Sequence, residues 1–309
     1  MQYSWVTKAL VQKFISFLPL KHNINFFFQK HVTHGVELTD EYFTDRLIHA
    51  RNHLKYYTEL TGSEIPSKTL ELGTGWYPVI PIYFFLKGVN RIYTVDIADH
   101  IKRDYTKLTI KRFLSEIEAG RLSVENEQLV QERIEQLKSI LKSESIPEQQ
   151  LLYNLGIIVK IRDARDSAFG VEVFDLIHSN NTFEHISETE LKEILGEFNK
   201  LLKKGGIMSH FIDMTDHFAH FDKSISIYNF LRFSPSKWRM IDNSIQPQNR
   251  LRVTDFENIY KELGVDYKIV EIREGNVDEL SQIPLHKTFS NYTKDNLAMS
   301  HCQFVTLKK

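Results

Sequence analysis

Hydrophobic residues recur along this chain with two spacings, one typical of helices and one typical of short buried strands. Up to about residue 67 the spacing is helical, and Thr39 or Asp40 can cap a helix that carries Phe43 and Leu54 on related faces. Beyond that point short apolar runs alternate with helical segments, which is typical of a parallel sheet covered by helices on both faces. The predicted strands are Thr69–Leu72, Arg91–Asp96, Ile157–Ile161, Phe174–His178 and Gly206–Ile212.

The first residues of the chain form a separate amphipathic pattern. Apolar side chains recur there at helical spacing, namely Val6, Leu10, Phe14, Phe17 and Leu18. Lys8 and Lys13 interrupt the apolar stretch, which argues against a signal peptide. The pattern favours instead a helix that packs on the domain or covers it as a lid. No run in the sequence approaches the roughly 18 apolar residues of a membrane-spanning helix, so we expect no integral membrane association.

Two stretches between predicted strands are longer than a single crossover helix requires. The 66 residues between Asp96 and Asp163 contain a helical pattern with Val130, Ile134 and Leu137 on one face.

A second stretch, rich in aromatic residues, follows the fifth strand, where insertions in such sheets often cover the substrate. Arg250 and Arg252 near its end suit an anionic group and solvent equally, and Thr254 or Asp255 would cap the helix that follows. We therefore predict a helical cap at 1–67 and an α/β domain at 68–309, with a helical insertion at about 100–155 and a lid insertion at about 214–253.

Charge and cysteine content exclude several classes of function. The chain has 39 Lys and Arg residues against 40 Asp and Glu residues, which leaves no basic footprint for nucleic-acid binding. Cys302 is the only cysteine, so a disulfide framework, a cysteine-rich zinc site and a cysteine-ligated iron–sulfur cluster are excluded. We expect a cytoplasmic protein with a small-molecule substrate, and the sequence leaves its oligomeric state open.

A glycine-rich turn follows the first predicted strand and indicates a bound ligand. Gly73-Thr74-Gly75 lets the backbone approach a ligand closely, and Asp96 ends the next strand 21 residues after Gly75. A dinucleotide would place its pyrophosphate at this turn, but Glu71 stands two residues before the first glycine and would repel it. A carboxylate there suits an ammonium group. S-adenosylmethionine carries such a group and contains no phosphate. The electrostatics therefore favour that cofactor over NAD.

Five segments in order complete the pattern, and together they resemble class I S-adenosylmethionine-dependent methyltransferases. The segments are Glu71–Gly75, Asp96, Asp163, Phe174–Asn180 with Phe183–Ile186, and Leu201–Gly206. The resemblance implies a Rossmann-like, doubly wound, mostly parallel seven-stranded sheet. It also implies a terminal antiparallel hairpin, which Tyr267–Ile272 and His301–Leu307 can supply. Tyr77 departs from the family, which often has a third glycine there.

The resemblance implies a role for each matching residue. Gly73, Thr74 and Gly75 would form the turn beside the methionine part of S-adenosyl-L-methionine, and Glu71 would face its amino group.

The nucleoside part would lie along the next two strands. Asp96 would accept hydrogen bonds from both ribose hydroxyls, and Ile97 would pack against the adenine ring. Asp163 would bind the adenine amino group, with the Ala164 backbone beside the ring, although Asp163 also suits a simple turn.

The methyl group would lie beyond the fourth strand, near Asn180 and Asn181. Three histidines at this edge are candidates for a general base, which methyl transfer from a sulfonium can do without: His185, His217 and His220. Asp213 and Asp216 add metal-ligand types beside His217 and His220. Metal-dependent catechol-type methyltransferases, however, place an acid where this chain has Ser179-Asn180-Asn181, so we expect no metal.

We therefore expect an S-adenosylmethionine-dependent methyltransferase that modifies an oxygen, nitrogen or carbon of a small molecule. Asn180-Asn181-Thr182-Phe183 lacks the prolines of nucleic-acid amino-methyltransferases, which disfavours that class. Three alternatives stay open: transfer or cyclisation of the cofactor's aminocarboxypropyl group, an NAD(P)-dependent oxidoreductase, and a cofactor-binding protein without catalysis.

Overall fold

The computed structural model describes residues 5–18, 37–143 and 146–309, and its centre is one twisted sheet. The strands within these residues are β1 (Lys68–Leu72), β2 (Arg91–Asp96), β3 (Ile157–Ile161), β4 (Phe174–Asn180), β5 (Leu202–Asp213), β6 (Lys268–Arg273) and β7 (His301–Leu307). Their order across the sheet is β3-β2-β1-β4-β5-β7-β6. All neighbours are parallel except β7, which runs antiparallel to both β5 and β6. The predicted fold class is confirmed.

Helices cover both faces of the sheet and extend beyond it at the lid. Those of the described residues are α1 (Trp5–Ile15), α2 (Asp40–Thr61), α3 (Val79–Leu86), α4 (Arg103–Glu118), α5 (Gln131–Lys142), α6 (Glu148–Tyr153), α7 (Glu188–Leu201), α8 (His217–Phe221), α9 (Pro235–Ile241), α10 (Val253–Glu262), α11 (Val277–Ser281) and α12 (Lys294–Ala298). None is long and apolar enough to cross a membrane.

Local sequence explains where the elements around the first turn begin and end. Thr39 caps α2 by accepting a hydrogen bond from the Tyr42 N–H, as the sequence predicts. Pro78 precedes α3, whose eight residues are all buried because the helix packs against α2, α5 and the sheet. Short crossovers from β1 to β2 and from β4 to β5 bring the carboxyl ends of four parallel strands to one edge.

Three apolar clusters hold the molecule together. Two lie on opposite faces of the sheet, one beneath α2 and α3 and the other beneath α7 and α10. The third fills the lid, and it includes Phe218, Tyr228, Phe230 and Trp238. Because these rings pack on one another, the aromatic residues of this cluster form an apolar core.

Helix α1 forms as predicted, but the face that packs on the lid is the one opposite to the predicted apolar stripe. The apolar stripe is exposed at Val6, Leu10, Phe14 and Phe17. The buried side chains are Ala9, Gln12 and Ile15. Small Ala9 allows close approach to the lid, and Lys13 donates hydrogen bonds to the Arg239 and Asp242 carbonyls at 3.0 and 2.6 Å. Residues 1–4 and 19–36 of the predicted cap lie outside the described residues.

Two arginines of the lid correct the sequence expectation that they meet an anionic ligand or solvent. Arg252 is fully buried and donates to the carbonyls of Met214, Leu297 and Met299. Arg250 donates to the Phe230 carbonyl at 3.0 Å and stacks on Trp238. Arg252 also replaces the predicted Thr254 or Asp255 as the residue that precedes α10.

Candidate functional site

The turn after β1 has the conformation that glycine permits and other residues resist. Gly73 and Gly75 both have left-handed backbones, with φ of +75° and +71°. A Cβ on Gly73 would lie 2.6 Å from the Thr182 side chain, whereas a Cβ on Gly75 would meet nothing within 4 Å. Gly73 therefore permits the close packing of the β1 and β4 turns, and Gly75 leaves open space above the turn.

Glu71 lies beneath this turn with its side chain buried. Its Oε2 accepts a hydrogen bond of 2.6 Å from the Thr74 hydroxyl. Burial, the lowering effects of Thr74 and Arg46, and the raising effect of the Asp96 charge together bring the pKa of Glu71 up to about 7, and burial is the largest of these causes. Among the described residues Glu71 forms no ion pair, and its hydrogen-bond partner is the Thr74 hydroxyl.

Asp96 ends β2, next to the end of β1 in the parallel register. Its Oδ1 accepts a hydrogen bond of 3.2 Å from the Ala98 N–H. Burial raises the pKa of Asp96, while the neighbouring His100 opposes the rise. Asp96 itself is half-buried, and the next residue, Ile97, is 78% exposed. The pair offers an acceptor for hydroxyl groups and an apolar surface for a ring.

Asp163 follows β3 and already has partners within the chain. Its carboxylate caps a short turn by accepting from the Arg165 N–H and also pairs with the Arg165 guanidinium at 2.5 Å. Ala164 is buried behind it. The turn-forming role is thus visible, and the predicted contact with adenine stays a prediction.

Asn180 and Asn181 lie where β4 ends. Asn180 is 4% exposed, yet neither its amide nitrogen nor its amide oxygen has a hydrogen-bond partner. Asn181 has a left-handed backbone, with φ of +49°, and its N–H donates to the Phe211 carbonyl at 3.0 Å. A buried amide without partners is costly, so Asn180 is a candidate ligand-binding group.

Arg46 joins this edge from helix α2, and the sequence analysis did not identify it. Its guanidinium donates to the Asn180 carbonyl at 3.3 Å and lies 5.0 Å from the centre of the Tyr42 ring. Its charge lowers the pKa of both Glu71 and Glu184, so it acts on one carboxylate of each pair. An arginine 25 residues before Glu71, on a different element, gives no local sequence signal.

Asp213 ends β5 and organises the histidines of this edge. Its Oδ1 accepts hydrogen bonds from the Thr215 N–H and hydroxyl at 2.8 and 2.6 Å. Three histidine Nε2 atoms surround the carboxylate, those of His217 at 3.4 Å, His301 at 3.5 Å and His220 at 3.9 Å. Although burial opposes it, the bond and charge of His217 and the charge of His301 hold the pKa of Asp213 well below its usual range.

The structure brings the three predicted histidines together. The ring centres of His185 and His217 are 4.9 Å apart, and those of His217 and His220 are 5.3 Å apart. Burial lowers the pKa of both His185 and His220 to about 4, so both are neutral near pH 7. His301 belongs to the same group but was not predicted from the sequence. The strand topology could have indicated it, because the start of an antiparallel β7 must lie beside the end of β5.

Glu184 completes the group from the short turn Phe183–His185. It is 2% exposed, and neither carboxylate oxygen has a hydrogen-bond partner. Burial raises the pKa of Glu184, and the charge of Asp213 adds to the rise. A helix-capping role is excluded, because Ser187 caps α7 together with Glu190. The edge thus carries two pairs of carboxylates, Glu71 with Asp96 and Glu184 with Asp213, of which all but the half-buried Asp96 are buried.

Comparison with known protein families gives a match within the chain. The sequence profile of the family described as "Methyltransferase domain" matches residues 70–209, which run from β1 into β5 and include the first turn, Asp96 and Glu184. No curated protein matches the chain.

Several solved structures are similar in fold at low sequence identity. Phosphoethanolamine N-methyltransferase 2 from Haemonchus contortus, in complex with S-adenosyl-L-methionine, is 12% identical over 91% of this chain and 59% of that chain, with a TM-score of 0.45. The PH0226 protein from Pyrococcus horikoshii OT3 is 12% identical over 91% and 98%, with a TM-score of 0.47. The YcgJ protein from Bacillus subtilis is 10% identical over 84% and 99%, with a TM-score of 0.42.

Proposed function

We propose that this chain, whose residues 70–209 belong to the methyltransferase domain family, transfers a methyl group from S-adenosyl-L-methionine to an oxygen, nitrogen or carbon of a small molecule. The observation that carries the proposal is a pair of carboxylates, buried Glu71 and half-buried Asp96, on either side of an open glycine turn. Neither forms a salt bridge within the described residues, and burial raises the pKa of both. Such a site suits a cationic amino acid joined to a nucleoside and repels pyrophosphate.

The residues present fit this cofactor. Ionised Glu71 would accept the ammonium group, Asp96 would accept from the ribose hydroxyls, and exposed Ile97 would cover one face of adenine. The unpartnered amide of Asn180 would bind near the methionine end. When bound, the cofactor supplies a methyl carbon activated by a positively charged sulfur.

His220 is the best-placed proton acceptor for an acceptor group that loses a proton. The Thr215 hydroxyl donates to Asp213, so the 3.0 Å contact between Thr215 Oγ1 and His220 Nε2 requires the histidine nitrogen to donate. That assignment leaves His220 Nδ1 as the basic nitrogen. Asp213 stabilises the His220 ring as that ring takes up a proton. His185 and His217 lie at the same edge of the sheet.

The structure weakens the alternative of an NAD(P)-dependent oxidoreductase. The spacing Tyr-x-x-x-Lys, typical of short-chain dehydrogenases, occurs at Tyr83 and Lys87. Both side chains are bonded to Glu127, Tyr83 to its carboxylate at 2.6 Å and Lys87 to its carbonyl at 2.5 Å. They lie on the last turn of α3, whereas the glycine turn precedes its first turn, so they are remote from the ligand-binding edge.

Calorimetric titration tests the cofactor. The full chain should bind S-adenosyl-L-methionine, and Asp96→Ala should weaken binding by about 100-fold, because hydrogen bonds to a charged acceptor contribute about 1.5–3 kcal/mol each. The matched control is Asp99→Ala, an exposed acid three residues away that pairs with Lys102. Equal affinity of the Asp96→Ala protein, or binding of NAD in preference, would contradict the proposal.

Product analysis tests the reaction. Incubation with methyl-labelled cofactor and a panel of amines, phenols and carbon acids should yield S-adenosylhomocysteine with a labelled acceptor. Methylthioadenosine as the product would instead identify aminocarboxypropyl transfer. Tight cofactor binding with no turnover on any acceptor would favour the non-catalytic alternative.

A further inference from the structure

Glu184, His185 and His217 converge at the end of β4 in a way that their sequence positions do not suggest. One ligand-type atom from each lies within 4.8 Å of those from the other two. The sequence expectation of no metal was based on another set, Asp213 and Asp216 with His217 and His220. The structure assembles a different group, and its central member, Glu184, comes from a separate turn.

Glu184 is the member that requires a partner. The carboxylate is almost fully buried and accepts no hydrogen bond from a side chain, although the backbone N–H groups of Glu184 itself and of Asp213 act to lower its pKa. A buried charge without a paired cation is strongly disfavoured. Arg46 is a nearby cation, but its guanidinium donates to the Asn180 carbonyl instead. Asp213, close to Glu184, adds negative charge rather than removing it. The charges around the Glu184 carboxylate therefore favour the binding of a cation.

The two histidines are already oriented as metal ligands are. His185 Nδ1 lies 2.6 Å from the Pro247 carbonyl, so this nitrogen carries the proton and Nε2 keeps its free electron pair. Asp213 lies beside the ring of His217, at 3.4 Å from Nε2, and Thr215 fixes the Asp213 carboxylate. Carbonyl and carboxylate partners of this kind set the orientation of metal-binding histidines.

We propose that Glu184, His185 and His217 bind a divalent first-row transition-metal ion. Two imidazoles and one carboxylate favour Zn²⁺, Mn²⁺, Fe²⁺ or Co²⁺ over Mg²⁺ and Ca²⁺, which prefer oxygen ligands. Ligand atoms lie about 2.0–2.2 Å from such ions, so two on one ion are at most about 4.4 Å apart. The observed 4.8 Å limit is thus compatible with binding after small side-chain adjustments. The ion would keep positions open towards the edge where an acceptor would lie.

Metal titration of the full chain tests the site without any assay of methyl transfer. The protein, without an affinity tag and after chelator treatment, should bind one Co²⁺ per chain by calorimetry and develop a visible absorption band. Zn²⁺ should displace the Co²⁺ and abolish the band. Glu184→Gln should weaken Co²⁺ binding by on the order of 100-fold, since even outer-shell changes cost 10- to 100-fold.

Control variants separate loss of the ligand from loss of the fold. Glu188→Gln changes an exposed glutamate at the start of α7, four residues along the chain, and His286→Gln changes a histidine outside this edge; both should bind Co²⁺ as the wild type does. His217→Gln should repeat the effect of Glu184→Gln, and circular dichroism should show both variants folded. Added Co²⁺ should raise the Tm of the wild type but not that of either variant.

Two results would overturn the site. One is a wild-type protein that takes up no Co²⁺, Mn²⁺ or Zn²⁺ after chelator treatment, which would mean that a proton neutralises Glu184. The other is a folded Glu184→Gln protein that binds Co²⁺ as tightly as the wild type. Neither result bears on cofactor binding at Glu71 and Asp96, so the two proposals fail separately.

Discussion

Two groups of histidines lie within the same sheet, but they have different partners. The interior group, His53, His178 and His210, is fully buried in or against the strands. His53 and His210 share hydrogen bonds with the Ser209 and Ser179 hydroxyls, both at 2.8 Å. The edge group consists of His185, His217, His220 and His301, and its members surround Asp213 or touch those that do.

The difference between the groups shows what each can do chemically. A hydroxyl serves a neutral imidazole equally well as donor or acceptor, so the interior group is built to stay uncharged. A carboxylate stabilises a positive charge, so the edge group can accept a proton or support a bound cation. Histidines as such are therefore poor indicators of a site, and a buried carboxylate among them is the better one.

The largest expected effect is acid destabilisation through the interior group. Burial lowers the pKa of His178 and that of His210 to about 3, whereas the unfolded chain takes up these protons near pH 6.5. Because the unfolded state binds more protons below pH 6.5, lowering the pH from 7 to 5 should cost roughly 2 kcal/mol per histidine. Urea unfolding at the two pH values measures this loss.

A single variant isolates one member of the interior group. His178 has no hydrogen-bond partner at either ring nitrogen, so His178→Leu removes the proton-binding group without breaking a bond. This variant should lose roughly 2 kcal/mol less than the wild type between pH 7 and 5. His286→Gln, outside the sheet, should retain the wild-type difference, and an unchanged difference in His178→Leu would refute the comparison.

The next effect concerns catalysis by the edge group. His220→Gln should lower kcat by about 100-fold or more while the affinity for S-adenosyl-L-methionine stays the same, since removal of a general base typically costs that much. Folded His178→Leu should retain kcat at pH 8. Steady-state kinetics with an acceptor from the panel measures both, and an unaltered kcat in His220→Gln would assign proton removal elsewhere.

The smallest effect is a pH dependence that belongs to neither histidine group. The pKa of Glu71 is about 7, and the ammonium group requires its ionised form, so cofactor affinity should fall about tenfold from pH 8 to pH 6. His185 and His220 stay neutral over this range, with pKa values of about 4. Glu71→Gln should bind weakly and with equal affinity at both pH values. A pH dependence that persists in this variant would point to another group.

Sequence predicted the parallel part of the sheet well because each of its strands carries its own local signal. The apolar runs of β1 to β3 end where expected, whereas β4 and β5 extend further because their polar ends pair with neighbouring strands. The terminal hairpin was predicted from the family resemblance; β7 has the predicted bounds, and β6 lies one residue further along the chain. The glycine turn and Asp96 were recognisable because strand topology fixes their spacing.

Contacts between distant segments explain what the sequence could not predict. Arg46 reaches the site from α2, and the buried face of α1 depends on the lid that it meets. Arg250 and Arg252 looked like solvent or ligand contacts, but they bind carbonyl groups contributed by residues up to 47 positions away. Whether Glu184 binds a proton or a cation depends on the absence of side-chain partners around it. Only a three-dimensional structure reveals such an absence among the described residues.

Cys302 in β7 gives the protein an internal reporter of unfolding. The thiol is completely buried opposite Ile212 of β5, and burial raises its pKa, so neither reagent nor hydroxide reaches it while the sheet is closed. As the chain contains no second thiol, alkylation of the native protein counts the openings of the β5–β7 pair.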